Sequence, residues 1–202
     1  MIDDAYFERF STPKYRARSR LKRALIRNFI EELHALFVAA NPVERVLEVG
    51  VGEGFISGYL SERFPDKSFT GVDLDAGDLR RCRSLFPAVE TIEADAQTLA
   101  GVLGPFDLVI CAEVLEHLPH PQRALDAIAR LRPKHCIFTV PHEPWFMLSN
   151  LARGQNLRRL GNDPEHINHF GPNGFRRLLE ASFRVDEVRR SYPWLLAACR
   201  PR

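Results

Sequence analysis

The chain has 202 residues, of which 45% are hydrophobic and 27% charged, and its formal net charge at pH 7 is +2. This length suits one α/β domain with a core of its own and is short for two. A net charge so close to zero does not indicate a protein that binds nucleic acid or a membrane surface.

The first 40 residues are predicted to form a helical cap. From about Pro13 to Ala39, apolar residues recur at steps of three and four, which indicates one amphipathic helix or a broken pair of helices. The same segment is locally basic, so it either contacts a phosphate-bearing partner or forms a solvated helix face. The basic residues in question are Lys14, Arg16, Arg18, Arg20, Lys22, Arg23 and Arg27.

After Pro42, short apolar runs alternate with helical patterns. Five of these runs are predicted strands, and each of the first four is followed by a glycine, an acid or a turn. Such alternation predicts a parallel sheet with helices on both faces. The strands are predicted at 45–49, 68–74, 89–94, 106–111 and 135–140, and the helices at 55–64, 76–86 and 121–131.

Residues 142–172 break this rhythm and are predicted to be a lid or a substrate-binding insertion. They contain a short helical pattern at 144–154 and then a polar stretch with His166 and His169. A helix at 173–183 and two strands at 184–190 and 194–200 follow. Only three residues join the last two strands, so they are expected to be antiparallel to each other. The predicted fold is a Rossmann-like, doubly wound, mostly parallel seven-stranded α/β sheet with an antiparallel last strand.

The cysteines and the N-terminus give a prediction about the compartment. Cys82, Cys111, Cys136 and Cys199 form no CxxC pair, so reduced core thiols are expected. The first ten residues lack the pattern of a signal peptide, and no apolar run approaches the roughly 18 residues that a membrane span needs. We therefore expect a cytoplasmic protein without a membrane span.

Ligands of doubly wound sheets bind outside the carboxyl ends of the strands. After the first strand come Gly50, Gly52 and Gly54, which let the backbone approach a ligand closely. Asp73 ends the second strand, where an acid can accept hydrogen bonds from ribose hydroxyls. The dinucleotide fingerprint would require a further glycine at position 55, and Glu48 suits a cationic amino group better than a pyrophosphate.

Four motifs, in order and in register, carry a family resemblance. "VLEVGVGEG", "GVDLD", "EADAQTL" and "FDLVICAEVLEHLP" resemble the successive motifs of the class I S-adenosylmethionine-dependent methyltransferases. The resemblance is strong over about 45–141 and continues in the architecture of the remainder. It implies one methyltransferase domain over residues 1–202 that uses S-adenosyl-L-methionine to methylate an acceptor.

The resemblance also implies roles for individual residues. Glu48 and the glycine turn (residues 50–54) would face the methionine end of the cofactor, and Asp73 would bind the ribose hydroxyls. Asp95 has an alternative role as a simple helix cap. The other expected contacts are Leu74 against the adenine, Asp95 and the backbone of Ala96 at the adenine edge, and the backbone oxygens of Cys111 and Ala112 with the amino group.

The fourth motif contains a candidate metal site. Glu113, Glu116 and His117 are spaced so that one helical turn would place all three on one face. Their oxygen and nitrogen atoms suit Mg²⁺, Mn²⁺, Fe²⁺ or Zn²⁺, and the lid offers His166 or His169 as a fourth ligand. The alternative is that the glutamates cap the next helix and the histidine lines a pocket that holds no metal.

A narrower resemblance bears on this choice. "EVLEH", followed by His166 with Phe170 and Phe175 at offsets of four and nine, is similar to the metal-dependent small-RNA 3′-end 2′-O-methyltransferases. The ubiquinone-pathway O-methyltransferases show a similar arrangement of two acids and a histidine. His166 fits the offsets better than His169.

The sequence thus predicts an S-adenosylmethionine-dependent O-methyltransferase of a small hydroxylated metabolite. The hydroxyl proton would be removed with the help of Mg²⁺ or Mn²⁺, or by His117 or His166 as general base. One alternative is an RNA 3′-end 2′-O-methyltransferase that grips phosphates with its basic N-terminal segment. Another is a cofactor-binding module without catalysis. The sequence does not indicate an oligomeric state.

Overall fold

A computed structural model of the chain describes residues 2–16, 19–99, 101–102, 104–152 and 166–202. Its strands are β1 Arg45–Val49, β2 Ser68–Asp73, β3 Val89–Glu93, β4 Leu108–Ala112, β5 His135–Pro141, β6 Phe183–Ser191 and β7 Trp194–Pro201. Its helices are α1 Asp4–Glu8, α2 Arg20–Ala39, α3 Phe55–Arg63, α4 Ala76–Leu85, α5 Pro121–Arg130, α6 Trp145–Ala152 and α7 Pro172–Glu180.

All seven strands form one sheet in the order β3-β2-β1-β4-β5-β7-β6. Strands β1 to β5 are parallel, and β7 lies antiparallel between β5 and β6. This confirms the predicted Rossmann-like sheet with its antiparallel last strand. β1 pairs with both β2 and β4, so the strand order reverses there, and the carboxyl ends of β1 and β4 flank the crevice where such sheets bind ligands.

Two apolar layers cover the sheet because successive side chains of each strand point to opposite faces. On β1, Val46 belongs to the first layer, whereas Leu47 and Val49 belong to the second. The first layer receives α1 to α4, and the second receives α5 and α7. Alternation places Glu48 on the first face, beneath the helices of the N-terminal part.

The N-terminal cap differs in detail from the prediction. The helical pattern from Pro13 is interrupted, because residues 12–15 form a turn and α2 begins only at Arg20. The side chain of Ser19 accepts a hydrogen bond from the backbone N–H of Lys22 and thereby caps the first turn of α2. Within the predicted pattern the described chain therefore has one helix, α2, and α1 lies before the pattern begins.

Other predictions concern the cysteines and the insertion. All four cysteines are buried and unpaired thiols, as predicted. Within the insertion, α6 is present, but residues 153–165 lie outside the described residues, so the predicted lid is only partly described. Among the helices of the described ranges, none is both long enough and apolar enough to cross a membrane.

Candidate active site

The glycine turn packs closely against neighbouring segments of the chain, and its approach to a ligand stays a prediction. The backbone N–H of Gly50 donates to the carbonyl of Val72 at 2.8 Å and ties the turn to the end of β2. Gly50, Gly52 and Gly54 have φ values of +78°, +51° and +87°, in the left-handed region. A Cβ at position 50 would lie 2.2 Å from Cγ2 of Val114, so only glycine fits there without displacing the segment after β4.

Glu48 lies beneath this turn and is only 2% exposed. Its Oε2 accepts a hydrogen bond from the backbone N–H of Ser57 in α3 at 2.8 Å. Burial raises the pKa of Glu48 to about 8; the charge of Asp73 adds to this effect, and the bonds from Ser57 oppose it. At neutral pH the carboxyl is therefore largely protonated, and a cation that arrives beside it would favour its charged form.

A cavity of about 850 Å³ opens at the carboxyl ends of β1 and β4. Glu48 and the glycine turn form one wall, and the N-terminal segment (residues 2–16) contributes a second wall with Lys14 and Tyr15. The remaining lining includes Glu113, Glu116, His117, His166, Phe29, Phe146 and Trp194. A volume of this size is typical of pockets that hold small molecules and cofactors.

The segment after β4 does not form the expected helical turn with all three candidate ligands on one face. Residues 113–118, the exit turn, contain a tight turn in which the N–H of His117 donates to the carbonyl of Val114 at 3.0 Å. Glu113 precedes it with φ +59°, a conformation that costs a residue with a side chain of the order of 1 kcal/mol. This backbone reversal separates Glu113 from Glu116 and His117, which the helical spacing could not foresee.

Glu113 instead joins two distant parts of the chain. Its Oε2 accepts hydrogen bonds from Nζ of Lys14 at 2.9 Å and from Nε1 of Trp194 at 2.8 Å. The Lys14 ammonium also lies 5.6 Å from the ring centre of Trp194 and 5.7 Å from that of Tyr15. Burial lowers the pKa of Lys14, but the charge of Glu113 and its hydrogen bond outweigh burial and raise that pKa above its ordinary value.

Three of the four predicted metal ligands do come together. Glu116, His117 and His166 each offer one ligand atom, and these atoms lie within 4.8 Å of one another. Glu116 is 1% exposed, and neither carboxylate oxygen has a hydrogen-bond partner among the described residues. Burial, followed by the charge of Glu113, raises the pKa of Glu116 well above its ordinary value. The sequence does not indicate that Glu113 bonds Lys14 and Trp194 instead of joining this cluster.

Backbone and side-chain bonds hold His166 at the exit turn. The docked segment (residues 166–170) donates from the N–H groups of Ile167 and Asn168 to the carbonyl of Glu116, at 2.9 and 3.0 Å. Nδ2 of Asn168 adds bonds to the carbonyls of Leu118, at 2.7 Å, and Leu115, at 3.2 Å. This docking places His166 in the cluster.

His169 points elsewhere, although it lies in the same docked segment. Its Nδ1 is 3.9 Å from Oε1 of Glu143, and it is not part of the cluster. His166 therefore has the position that the sequence assigns to it, whereas its role as a ligand or base stays a prediction.

The residues expected around the ribose and adenine are not part of the cavity wall in the described chain. Oδ2 of Asp73 accepts from the N–H of Gly52 at 2.8 Å, so the acid orders the glycine turn. Oδ1 of Asp95 accepts from the N–H of Gln97 at 2.8 Å within a turn at residues 96–98, and no helix begins there in the described chain, so Asp95 is not the helix cap of the alternative interpretation. The cofactor-binding roles therefore stay predictions for Asp73, Leu74, Asp95, Ala96 and Cys111.

Part of the basic N-terminal charge is neutralised within the chain. Arg23 and Arg27 both pair with Asp4, at 2.9 and 2.5 Å, and Lys14 pairs with Glu113. These three cations already have anionic partners, so the predicted phosphate-binding surface is weaker than the sequence indicates.

Comparison with known proteins agrees with this geometry. Residues 46–134 match the sequence model of a methyltransferase domain. The chain also superposes on the crystal structure of magnesium protoporphyrin IX methyltransferase from Synechocystis PCC 6803 with bound SAH. That match has a TM-score of 0.69 and 15% identity, and it covers 98% of this chain and 94% of the other. Residues 46–134 thus match a methyltransferase domain, and the described chain has the fold of that solved methyltransferase.

Curated relatives match this methyltransferase domain over parts of their length. A ubiquinone biosynthesis O-methyltransferase from Pectobacterium carotovorum is 36% identical over 96 residues, which are 44% of this chain and 38% of the relative. A trans-aconitate 2-methyltransferase from Methylobacterium nodulans is 29% identical over 157 residues, which are 76% of this chain and 56% of the relative. The chain thus spans less than two thirds of the length of these relatives.

Proposed function

We propose that the chain transfers a methyl group from S-adenosyl-L-methionine to a hydroxyl oxygen of a small molecule, with the assistance of a divalent cation. One observation carries the proposal: a single cavity joins the glycine turn to the cluster of Glu116, His117 and His166. We also propose that residues 1–202 act as one methyltransferase domain. A cytoplasmic location stays a prediction from the sequence.

The cavity residues fit the cofactor. Gly50 and Gly52 line the cavity without side chains, and Gly50 also lets the turn pack against Val114, which a Cβ would meet at 2.2 Å. Glu48 is buried beneath that turn and can accept the cationic amino group as its proton leaves. S-adenosyl-L-methionine supplies the electrophilic methyl group when bound. The chain's own task is to align the acceptor and to remove its proton.

The cluster fits a divalent cation by its donor chemistry. Both carboxylate oxygens of Glu116 are buried without a hydrogen-bond partner in the described part of the chain, and two imidazoles lie beside them. Ligands on one ion at about 2.1 Å are separated by up to roughly 4 Å, close to the spacing within this cluster. A carboxylate with two imidazoles suits Mn²⁺ better than Mg²⁺. A bound cation would lower the pKa of the acceptor hydroxyl; in its absence, His117 or His166 would accept the proton.

The remaining wall supports a flat, partly apolar acceptor. Tyr15, Phe29, Phe146 and Trp194 line the same cavity as the polar cluster. Such aromatic surfaces bind planar apolar groups, while the few polar atoms fix their orientation. The name of the ubiquinone biosynthesis relative supports oxygen as the accepting atom.

Chelation tests the role of the metal. After removal of divalent ions, methylation of small phenols and other hydroxylated acceptors should fall to background, and Mn²⁺ or Mg²⁺ should restore it. Glu116→Gln should lower kcat/KM by about tenfold or more, because it removes an anionic ligand. Glu180→Gln, in an exposed ion pair, is the matched control. Full activity after chelation would contradict the proposed role of the metal and would favour His117 or His166 as the general base.

Binding measurements separate the alternatives. An RNA 3′-end enzyme would bind short RNA with a strong salt dependence, because phosphate contacts release counterions. The internal pairing of Arg23 and Arg27 argues for weak salt dependence. Tight cofactor binding without turnover, across acceptors and metals, would instead indicate a non-catalytic module.

A further inference from the structure

One carboxylate of the glycine turn anchors the N-terminal segment. Glu53 lies between two glycines of the turn, and its side chain is 2% exposed. Its oxygens accept the backbone N–H groups of Ser11, at 2.7 Å, and Thr12, at 2.9 Å. The hydroxyls of both residues also donate to this carboxylate, that of Thr12 at 2.9 Å. Four donors from two consecutive residues thus converge on one side chain.

Arg81 of α4 completes this anchor from the other side. Its Nε donates to Oε2 of Glu53 at 2.9 Å, and its terminal nitrogen donates to the carbonyl of Arg9 at 2.8 Å. The guanidinium balances the buried charge and also bonds the N-terminal segment directly. Burial raises the pKa of Glu53, but the bonds from Ser11 and Arg81 outweigh it and hold the pKa at about 2. The anchor is therefore charged throughout the neutral range.

The anchored residues lead directly into the cavity wall. Tyr15 stacks on Phe55, the first residue of α3, with ring centres 3.8 Å apart and planes at 5°. Lys14 reaches across to Glu113 at the exit turn. Lys14 and Tyr15 lie three and four positions after Ser11, so the position of the wall follows from the position of the anchor.

We propose that Glu53 is a positioning residue, which fixes residues 11–15 so that Lys14 and Tyr15 close the cavity over the bound cofactor. This inference rests on the proposed methyltransferase function. The anchor belongs to the same turn that would hold the cofactor, so it fixes the N-terminal wall of the cavity to that turn. Release of the cofactor then requires the N-terminal segment to leave Glu53, and weakening the anchor accelerates release.

The test measures dissociation of S-adenosylhomocysteine, which needs neither acceptor nor metal. In Glu53→Gln the dissociation rate should rise about tenfold, because hydrogen bonds to a buried charge are lost and an amide N–H₂ faces backbone donors. Hydrogen exchange should accelerate in residues 2–16 and stay unchanged in β4 and β5. The KM for S-adenosylmethionine should rise more than kcat falls. A merely structural role would change exchange in the strands as well.

The matched control uses another acid that bonds the same segment. Glu62 of α3 pairs with Arg9 at 2.6 Å, but both side chains are about 40% exposed. Glu62→Gln should leave dissociation and exchange within about twofold of the parent protein, since exposed ion pairs contribute little. Should Glu53→Gln fail to fold, a Ser11→Ala/Thr12→Ala variant removes two hydroxyl donors and keeps the backbone bonds. It should accelerate release to a smaller extent.

The possible failures are distinguishable. Unchanged dissociation and exchange in a folded Glu53→Gln protein, or in the double variant where that one does not fold, overturn the positioning role alone. If the parent protein binds neither S-adenosylhomocysteine nor S-adenosylmethionine, the proposed function fails and the inference falls with it.

Discussion

At the scale of single residues, Gly50 and Gly174 make a direct comparison. Gly50→Ala should destabilise the protein by about 2 kcal/mol or more, because the new Cβ meets Val114 and φ is +78°. Gly174 lies inside α7, and no atom of the described residues lies within 4 Å of a Cβ built there, so Gly174→Ala should stabilise by about 0.5–1 kcal/mol. Urea unfolding measures both changes. A tolerated alanine at position 50 would contradict the close approach.

The buried acid beneath the turn predicts a pH dependence of stability. The pKa of Glu48 is about 8 in the folded protein, above the ordinary value of 4.5, so the folded state holds an extra proton between these limits. Stability from this group is therefore complete below about pH 4.5 and is lost as pH rises through 8. Glu48→Gln should remove this slope between pH 5 and pH 8.

Urea unfolding at several pH values measures that slope, and the exposed Glu90→Gln provides the control. Equal slopes in the parent protein and Glu48→Gln would show that Glu48 is ionised in the folded state.

The position of a site residue follows from the sequence only where the motif is local. The glycine turn and Glu48 sit where the motif predicts, because adjacent residues and a short loop determine their geometry. Glu113 does not, because its partners Lys14 and Trp194 are 99 and 81 residues away. Nothing in "AEVLEHL" indicates these contacts, and only the folded sheet brings the three residues together.

At the scale of elements, the exit turn and the docked segment depend on each other. Asn168 bonds two carbonyls of the exit turn, so Asn168→Ala should release the docked segment and with it His166. Mn²⁺ affinity should then fall by about tenfold, the usual effect of removing a group that orients a ligand. Calorimetric titration measures the affinity.

Asn41→Ala removes an exposed amide bond at the other end of the sheet and serves as the control for Asn168→Ala. Unchanged Mn²⁺ affinity in Asn168→Ala would show that His166 keeps its place without this amide. A parent protein that binds no Mn²⁺ would contradict the metal proposal itself.

The order of strands and helices was predictable because apolar runs and amphipathic patterns alternate along this chain. Every predicted strand is present, with its bounds shifted by no more than two residues. Helices predicted from residue spacing were wrong at two places where the backbone turns. The turn at 12–15 interrupts the N-terminal helix, and the reversal at Glu113 replaces a helical turn. Periodicity records which face is apolar and does not record backbone reversals.

At the scale of the whole molecule, the central strands link the two apolar layers. On β4, Ile110 contributes to the first layer, and its neighbours Val109 and Cys111 contribute to the second. β1 divides its side chains in the same way. Loss of either layer therefore exposes strands on which the other layer packs, so we expect the sheet and both helical layers to unfold together.

This linkage predicts one cooperative unfolding transition. Leu47→Ala in the second layer and Ile110→Ala in the first should each lower stability by about 2–5 kcal/mol, because both side chains are fully buried. For each variant, the midpoint of urea unfolding should fall by the same amount whether far-ultraviolet circular dichroism or tryptophan fluorescence follows the transition. Leu21→Ala, at a side chain that is 68% exposed, should leave the unfolding midpoint nearly unchanged in both signals. Two separated transitions, with one layer moving alone, would mean that the layers are independent and that residues 1–202 are not a single folding unit.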